Sequence, residues 1–461
     1  MTARRTSVLT LIIAAALVLA GCAGTPLPLE KNARDQVNQV GRELLPMADS
    51  RDGGHASTIK PTLPVLRSDS PPADYLLFAT LNHPTVVAAY YDWLAAVEEI
   101  TPARSRPDPQ LTFEADILDT LMTFMPGIMF DIMGPGKRSA MGREAVATSQ
   151  ISYRAYVATV LRIAAETRKA WLDLAYLDEA VRIREATLTA LGQASSLAEV
   201  GYTTGRGMAT LETQTRLTNE TAKVRVELAT LGDRRAALRA RFKSTLGLSP
   251  ADPDPAWPTT ALTVTVLPSE EELWKRVQTD NPGLAQMRAM VDMTVAGTAV
   301  AHKSGTPDFT AGLMVDLKSD PLMFRPTATA TLPIWRDKIA ATIAAARAKH
   351  DAAVARVSAE QITLAAELAQ MLYMVRESDR MIAYINDTAL PSYDRTIATV
   401  EAGYQSGMTD PSMIPETRVM ALGMRLERAN ALRERENTVT DLLLMIATIA
   451  PAGAPLAAVQ P

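Results

Sequence analysis

The chain has 461 residues, 47% hydrophobic and only 5% aromatic, with 47 basic and 51 acidic side chains for a net charge of −4. It contains no basic tract, which argues against nucleic-acid binding, and after the first 22 residues no apolar run approaches the roughly 20 residues a spanning helix needs. A helical membrane protein is thereby excluded. A β-barrel is not, because its strands are short and weakly hydrophobic.

Arg4 and Arg5 precede a run from Val8 to Ala20 that is apolar except for Thr10, so residues 1–21 read as a secretory leader. Leu19-Ala20-Gly21-Cys22 resembles the bacterial lipobox, and Cys22 is the only cysteine in the chain. With no disulfide partner available, Cys22 is the expected lipidation site; the plainer alternative is an ordinary leader that happens to contain a cysteine. Losing the leader removes Arg4 and Arg5 and takes the net charge from −4 to −6. Residues 22–73 read as a lipidated tether with one short helix near Glu30–Met47, since Gly53-Gly54, Pro61, Pro64 and Pro71-Pro72 resist regular structure.

Residues 75–248 form a first structural half. A helical pattern runs through Asn82-His83-Pro84 to about Thr101 and stops before Pro107-Asp108. The period then changes: Leu111, Phe113, Ala115 and Ile117 alternate with Thr112, Glu114 and Asp116, and Ile128, Phe130 and Ile132 return around Met129 and Asp131. That is a β-hairpin over 109–133 with one apolar and one polar face. After Gly134-Pro135-Gly136-Lys137-Arg138, some 60 residues from Ser139 to Glu199 run without proline. Gly201-Tyr202-Thr203-Thr204-Gly205 marks a turn over 201–207, since glycine suits a positive-φ reversal. Met208 to Leu246 runs back, with Leu217, Val224, Leu231 and Leu238 every seventh residue as a coiled-coil seam.

A proline-rich linker over 249–269 leads to a second half over 270–450. Asn281-Pro282 opens the matching helix and Pro307-Asp308 the matching hairpin, over 307–335, with Trp335 expected to close the fourth strand. A long helix from Ile339 to about Val400 follows, with a kink expected at Pro391. Gly403-Tyr404-Gln405-Ser406-Gly407 begins a turn over 403–410, Pro411 to Ile449 runs back, and 451–461 reads as a flexible tail. The two Gly-Tyr-x-x-Gly motifs lie 202 residues apart, as do Thr215 and Thr417 in Gln214-Thr215-Arg216 and Glu416-Thr417-Arg418. One half is written twice.

The fold class expected is therefore mainly α with a membrane β-barrel portion: duplicated long coiled-coil helical hairpins plus two β-hairpins per chain. Phe113, Phe124, Phe130, Phe309 and Phe324 concentrate in or beside the hairpins, which suits a lipid-facing band better than a soluble sheet. One chain cannot close a barrel, because spanning barrels start at about eight strands. A trimer would form a 12-stranded barrel and an α-helical tunnel.

In this order, and duplicated, the lipobox, the Asn-His-Pro and Asn-Pro helix starts, the Pro-Asp strand starts, the Gly-Pro-Gly-Lys-Arg exit and the Gly-Tyr-x-x-Gly turns resemble the TolC family of outer-membrane efflux channels. The Gly-Pro-Gly-Lys-Arg exit and the Pro-Asp-Pro before the first strand resemble its heavy-metal efflux branch more than its general drug-efflux branch. The resemblance implies a homotrimer, lipid-anchored in the outer membrane and extending into the periplasm. It would dock on a periplasmic adaptor (membrane fusion) protein and an inner-membrane pump, in contact with outer membrane lipid, as a passive conduit with no cofactor and no enzyme activity. Gly201, Tyr202, Gly205, Gly403, Tyr404 and Gly407 would then lie at the periplasmic tip where the adaptor docks. The family narrows that tip with acidic rings. Here only Glu416 falls on such a position, Met413 occupies the second one in that half, and Leu211 and Gln214 stand in the first half. A constriction from Leu211, Met413 and Glu416 is expected, with Glu416 as a merely solvated helix residue the alternative.

Glu114, Asp116, Asp131 and Asp316 on polar-face positions would line the barrel lumen and favour cations, or only keep it wet. The 21 methionines suggest Cu(I) chemistry, but methionine is also an ordinary filler of helical seams. The four histidines are isolated, and neither a His-Glu-x-x-His motif nor a phosphate-cradling glycine loop is present. A periplasmic adaptor, with one helical hairpin between split β-rich domains, and a structural coiled-coil lipoprotein are the alternatives to a channel.

Overall fold

The structure, a computed structural model, describes residues 27–44, 63–117, 121–204, 211–259, 263–319, 321–405 and 413–456. The leader, Cys22 and the tip segments 205–210 and 406–412 lie outside the described residues. In chain order the elements are α1 (Pro28–Leu44), α2 (Pro72–Asn82), α3 (Pro84–Glu98), α4 (Ile100–Arg104), β1 (Gln110–Ile117), β2 (Leu121–Ile132), α5 (Lys137–Thr204) and α6 (Leu211–Thr245). The second half contributes α7 (Glu270–Asp280), α8 (Pro282–His302), β3 (Asp308–Asp316), β4 (Met323–Thr331), α9 (Arg336–Tyr384), a π-helical turn (Ile385–Ala389), α10 (Leu390–Gln405) and α11 (Met413–Met445). By contacts these divide into two compact units, the first holding residues up to Gln39, Tyr91–Tyr153 and Met287–Arg356, the second the remainder.

The first unit is organised around one antiparallel sheet of order β1-β2-β3-β4, so the two hairpins are joined by pairing of Ile128 with Leu313 and Phe130 with Ala311. Asp308 ties the joint. Its carboxylate accepts from the Gly134 N–H at 2.7 Å and from Lys137 Nζ at 2.6 Å, so the second half's strand start holds the first half's strand exit. The fourth strand ends at Thr331, short of the expected closing Trp335, which is 72% exposed. At the start of α1, Glu30 is buried and forms ion pairs with Arg104 (2.6 Å) and Arg34 (3.4 Å). Burial alone would raise the Glu30 pKa, but the hydrogen bonds and charges of Arg104 and Arg34 outweigh it and hold it below the usual carboxylate value.

In the second unit the two halves repeat one device. Asn82 at the end of α2 donates from Nδ2 to the Leu246 carbonyl at 2.9 Å. Asn281 donates to the Met445 carbonyl at 3.0 Å and accepts from the Leu284 N–H at 2.9 Å. Each bond satisfies a carbonyl orphaned at a helix C-terminus. Both C-termini close the same way: Leu248 N–H bonds Lys243 O and Gly247 N–H bonds Ser244 O, while Thr448 N–H bonds Leu443 O and Ala447 N–H bonds Leu444 O. These are paired Schellman closures with the cap residue in the left-handed region, φ +72° at Gly247 and φ +55° at Ala447.

The expected seam is present, with Leu217 and Val224 buried against Leu191, Ala194 and Ala198. A second core gathers Leu273, Val277, Leu364, Leu368, Leu372 and Val439. Glu436, buried to 1% exposure, accepts from Arg435 Nη1 (2.6 Å), Arg168 Nη2 (3.3 Å), Thr265 N (3.0 Å) and Thr265 Oγ1 (2.7 Å). That carboxylate fastens the linker to the helices.

Two expectations are corrected here. The helix expected from 75 to about 101 is broken at His83, where the residue before a proline takes extended geometry (ψ 124°). Residues 451–456, expected as the start of a flexible tail, are held: the Tyr156 hydroxyl donates to the Pro455 carbonyl at 2.5 Å, and Leu456 N–H bonds Ala454 O. At Pro391, where a kink is expected, the helix carries an irregularity just upstream. The π-helical turn Ile385–Ala389 precedes Pro391, widening the backbone where the proline ring would meet the carbonyl four residues back and remove its donor.

Candidate functional site

The sheet presents two chemically different faces, as the period of two requires. Register aligns Leu111 with Ile128, Phe113 with Pro126, and Ala115 with Phe124. It continues through Ile132 with Phe309 and through Ala311 with Ala328 and Val315 with Phe324. All of these lie on one face. They form an unbroken apolar surface, and it is open: Phe113 is 62% exposed and Phe324 57%, with Leu111, Ile132, Phe309 and Leu313 also exposed. Phe113 and Phe124 stack at 6.2 Å. An uncovered apolar face of this extent marks contact with lipid or another chain. The outer edges of β1 and β4 carry no partner strand among the described residues.

The opposite face holds the four acids singled out in the sequence. Glu114 is exposed. Asp131 accepts from Gln110 Nε2 at 3.0 Å. Asp116 pairs in register with Thr123, and its side chain lies outside what is described. Asp316 differs from a solvated acid: it is 6% exposed and its carboxylate accepts from the Lys318 N–H at 3.0 Å, capping the β3–β4 turn. The sequence reading missed Met125 and Met314, which are buried on this otherwise polar face. Met314 leans across Gly127, where a Cβ would come within 2.6 Å of its Cγ. The glycine beside a methionine in register was the available signal.

At the far ends of the long helices, the two Gly-Tyr pairs are helical rather than turns. Gly201 and Tyr202 lie inside α5, which runs to Thr204, and Gly403 and Tyr404 inside α10, which runs to Gln405. Neither glycine has a positive φ, and a single glycine inside a helix costs only about 1 kcal/mol. Helix therefore occupies 201–204 and 403–405, where the turns were expected to begin. Gly205 and Gly407 lie outside the described residues. Tyr202 is exposed. Leu211 and Met413 open α6 and α11 and are both exposed. Gln214 is half-buried one turn into α6. Glu416 carries a partner the sequence did not suggest: Arg216 Nη2 reaches its Oε1 at 2.7 Å, joining the return helices of the two halves. Arg216 closes one of the duplicated triplets and Glu416 opens the other.

Among the described residues no helix is long and apolar enough to cross a membrane, and no group of three His, Cys, Asp or Glu could hold a metal ion. The apolar sheet is the one candidate for membrane contact that these residues offer.

These elements, long helical hairpins and a small antiparallel sheet, match the fold of solved outer-membrane channels. CusC, solved in conformations accompanying folding and transmembrane channel formation, matches at TM-score 0.68 and 15% identity, over 83% of this chain and 93% of CusC. The CmeC outer membrane channel of Campylobacter jejuni matches at TM-score 0.65 and 13% identity, over 82% and 86%. The open state of the MtrE outer membrane channel of Neisseria gonorrhoeae matches at TM-score 0.68 and 13% identity, over 82% and 89%. Within that class, residues 273–448 match the model of the outer membrane efflux protein family, so the second half of the chain carries that family's sequence pattern. Comparison with curated proteins by sequence finds no match. The matched family and folds are those of efflux channels and not of enzymes.

Proposed function

We propose that the chain is the subunit of a homotrimeric outer-membrane channel, a passive conduit in a tripartite efflux system. The observation that carries this reading is the exposed apolar face of a four-stranded sheet whose two edges carry no partner strand among the described residues. Open edges in hydrocarbon leave backbone groups unsatisfied at several kcal/mol each. Four strands are too few to close a spanning barrel, which needs about eight, whereas three chains supply twelve. On this reading residues 1–21 are removed, Cys22 is lipidated in the outer membrane, and residues 22–73 tether the anchor to the two halves at 75–248 and 270–450.

The long helices carry the tunnel into the periplasm, where the ends of α5 and α10, with Tyr202 and Tyr404, dock the adaptor that links to an inner-membrane pump. Leu211, Met413 and the Glu416–Arg216 pair lie where the tip constricts. Glu114, Asp131 and Asp116 face the lumen, with Asp316 confined to its turn. A periplasmic adaptor would need one helical hairpin between split β-rich domains, and the tandem hairpins here favour the channel.

The native mass of the detergent-extracted, lipidated protein tests the reading. A trimer is expected. A monomer that stays in solution without detergent would remove the barrel and leave a structural coiled-coil lipoprotein.

A further inference from the structure

A cavity of about 710 Å³ opens at the basal end of the sheet, where β2 passes into α5. Its floor is apolar: Phe130 and Ile132 of β2, Ala311 of β3 and Pro135 of the exit turn. Its lining carries two cations, Arg106 just before β1 and Arg138 in the first turn of α5, against one acid, Asp131, whose carboxylate is engaged by Gln110 Nε2. The neighbouring cations are engaged, Arg104 with Glu30 and Lys137 with Asp308. Among the described residues Arg106 and Arg138 stand in no ion pair. The volume falls within the range of small-molecule clefts.

Three further features define what such a cavity takes. Phe130, Ile132 and Ala311 belong to the exposed apolar face, so the cavity is continuous with the surface read above as lipid-facing. β2 and β3 are the central strands, away from the edges where neighbouring chains would pair. At the same end of the sheet, the exit of β4 exposes Ile334 and Trp335 immediately before Arg336. Exposed tryptophan beside basic residues marks the level where hydrocarbon gives way to headgroups. An arginine pair over an apolar slot at that depth matches an acyl chain below and an anionic phosphate above.

We propose that this cavity is a phospholipid site, holding one acyl chain against Phe130, Ile132 and Ala311 and an anionic headgroup between Arg106 and Arg138. The proposal rests on the barrel reading. It makes the protein select its lipid at one fixed position per chain rather than bathe in an indifferent bilayer.

The test uses the full lipidated protein, purified in detergent, stripped of lipid, and titrated with palmitoyl-oleoyl phosphatidylglycerol or phosphatidylcholine while native mass counts the lipids retained. Wild type should retain up to one phosphatidylglycerol per chain in preference to phosphatidylcholine. Arg106→Gln with Arg138→Gln should weaken phosphatidylglycerol retention by roughly thirtyfold, from about one decade or less per cation near a lipid surface. Arg106→Lys with Arg138→Lys should restore most of it. Ala311→Phe, which fills the floor and leaves both arginines, should reduce both lipids.

Equal retention by wild type and the double glutamine variant would overturn the proposal. So would displacement of the lipid by millimolar inorganic phosphate, which would mark a free-anion site. Binding seen only in Cys22→Ser would assign the slot to the chain's own acyl anchor and overturn it equally. A trimer that retains no lipid sinks this inference alone, whereas absence of a trimer sinks the barrel reading beneath it.

Discussion

Gly247 and Ala447 occupy corresponding caps in the two halves, yet their substitutions should act with opposite signs. Ala447 holds φ +55° with a side chain that prefers negative φ, a cost of about 1–2 kcal/mol for an L-residue. Ala447→Gly removes that strain but gives the unfolded chain more freedom, worth about 0.5–1 kcal/mol in the other direction. The net is a stabilisation of about 0.5–1 kcal/mol. Gly247→Ala takes on the same left-handed penalty at φ +72°, and its new Cβ would stand 2.7 Å from the His83 Cα and 3.0 Å from the Asn82 carbonyl oxygen. Backbone atoms cannot swing aside, so the α2–α3 break must shift as well. The expected loss is about 1–3 kcal/mol after allowing about 0.4–1 kcal/mol for the stiffer unfolded chain. Urea unfolding followed by far-UV circular dichroism, in one detergent and at one protein concentration, reads both signs. A neutral Gly247→Ala, or a destabilising Ala447→Gly, would refute the assignment of these residues as equivalent strained caps.

Other parts of the molecule make equally direct demands. Glu436→Ala removes two hydrogen bonds from Thr265, each worth about 1.5–3 kcal/mol to a charged group before water replaces them. Amide exchange at Thr265 should accelerate roughly 10- to 150-fold, while the Thr259 amide, held by the Ser68 carbonyl, should keep its rate; matched acceleration of both would mean general unfolding instead. Glu30, held below the ordinary carboxylate value by Arg104 and Arg34, contributes stability that is complete above about pH 4.3 and fades as pH falls through its lowered folded value. Amide protection over residues 31–37 should follow that acid titration in wild type and lose the dependence in Glu30→Gln. At the tip, Glu416→Ala should raise single-channel conductance, and Arg216→Ala should increase cation over anion selectivity by leaving the Glu416 carboxylate unneutralised. Unchanged conductance in Glu416→Ala would move the constriction away from this residue.

What the sequence disclosed and what it withheld divide along range of interaction. Alternation such as Leu111-Thr112-Phe113-Glu114 is a local consequence of strand geometry, so the four strands and their apolar face could be read directly. The seam residues Leu217 and Val224 were legible for the same reason, through a period of seven. Helix ends were less so: Gly201 and Gly403 look like stops, but the helices continue past them because neighbouring side chains sustain the ladder. Partnerships were invisible wherever they bridge distant segments. Glu436 meets Thr265 across 171 positions and Arg216 meets Glu416 across 200, and no spacing rule relates such residues. Met125 and Met314 were overlooked on the polar face because alternation describes facing and not burial.

The π-helical turn at Ile385–Ala389 bears on how a doubled chain tolerates unequal copies. From the start of each long helix to its Gly-Tyr pair, the first copy runs from Lys137 to Gly201 and the second from Arg336 to Gly403, three residues more. In an unbroken α-helix those extra residues would rotate every later side chain away from its partners. The wider turn offsets part of that rotation by holding about one residue more than an α-turn: the inward stripe steps by four from Ile385 to Ala389, Tyr393 and Ile397 before resuming shorter steps. It works as a vernier between two rods of different length, so that insertions in one copy need no matching change in the other.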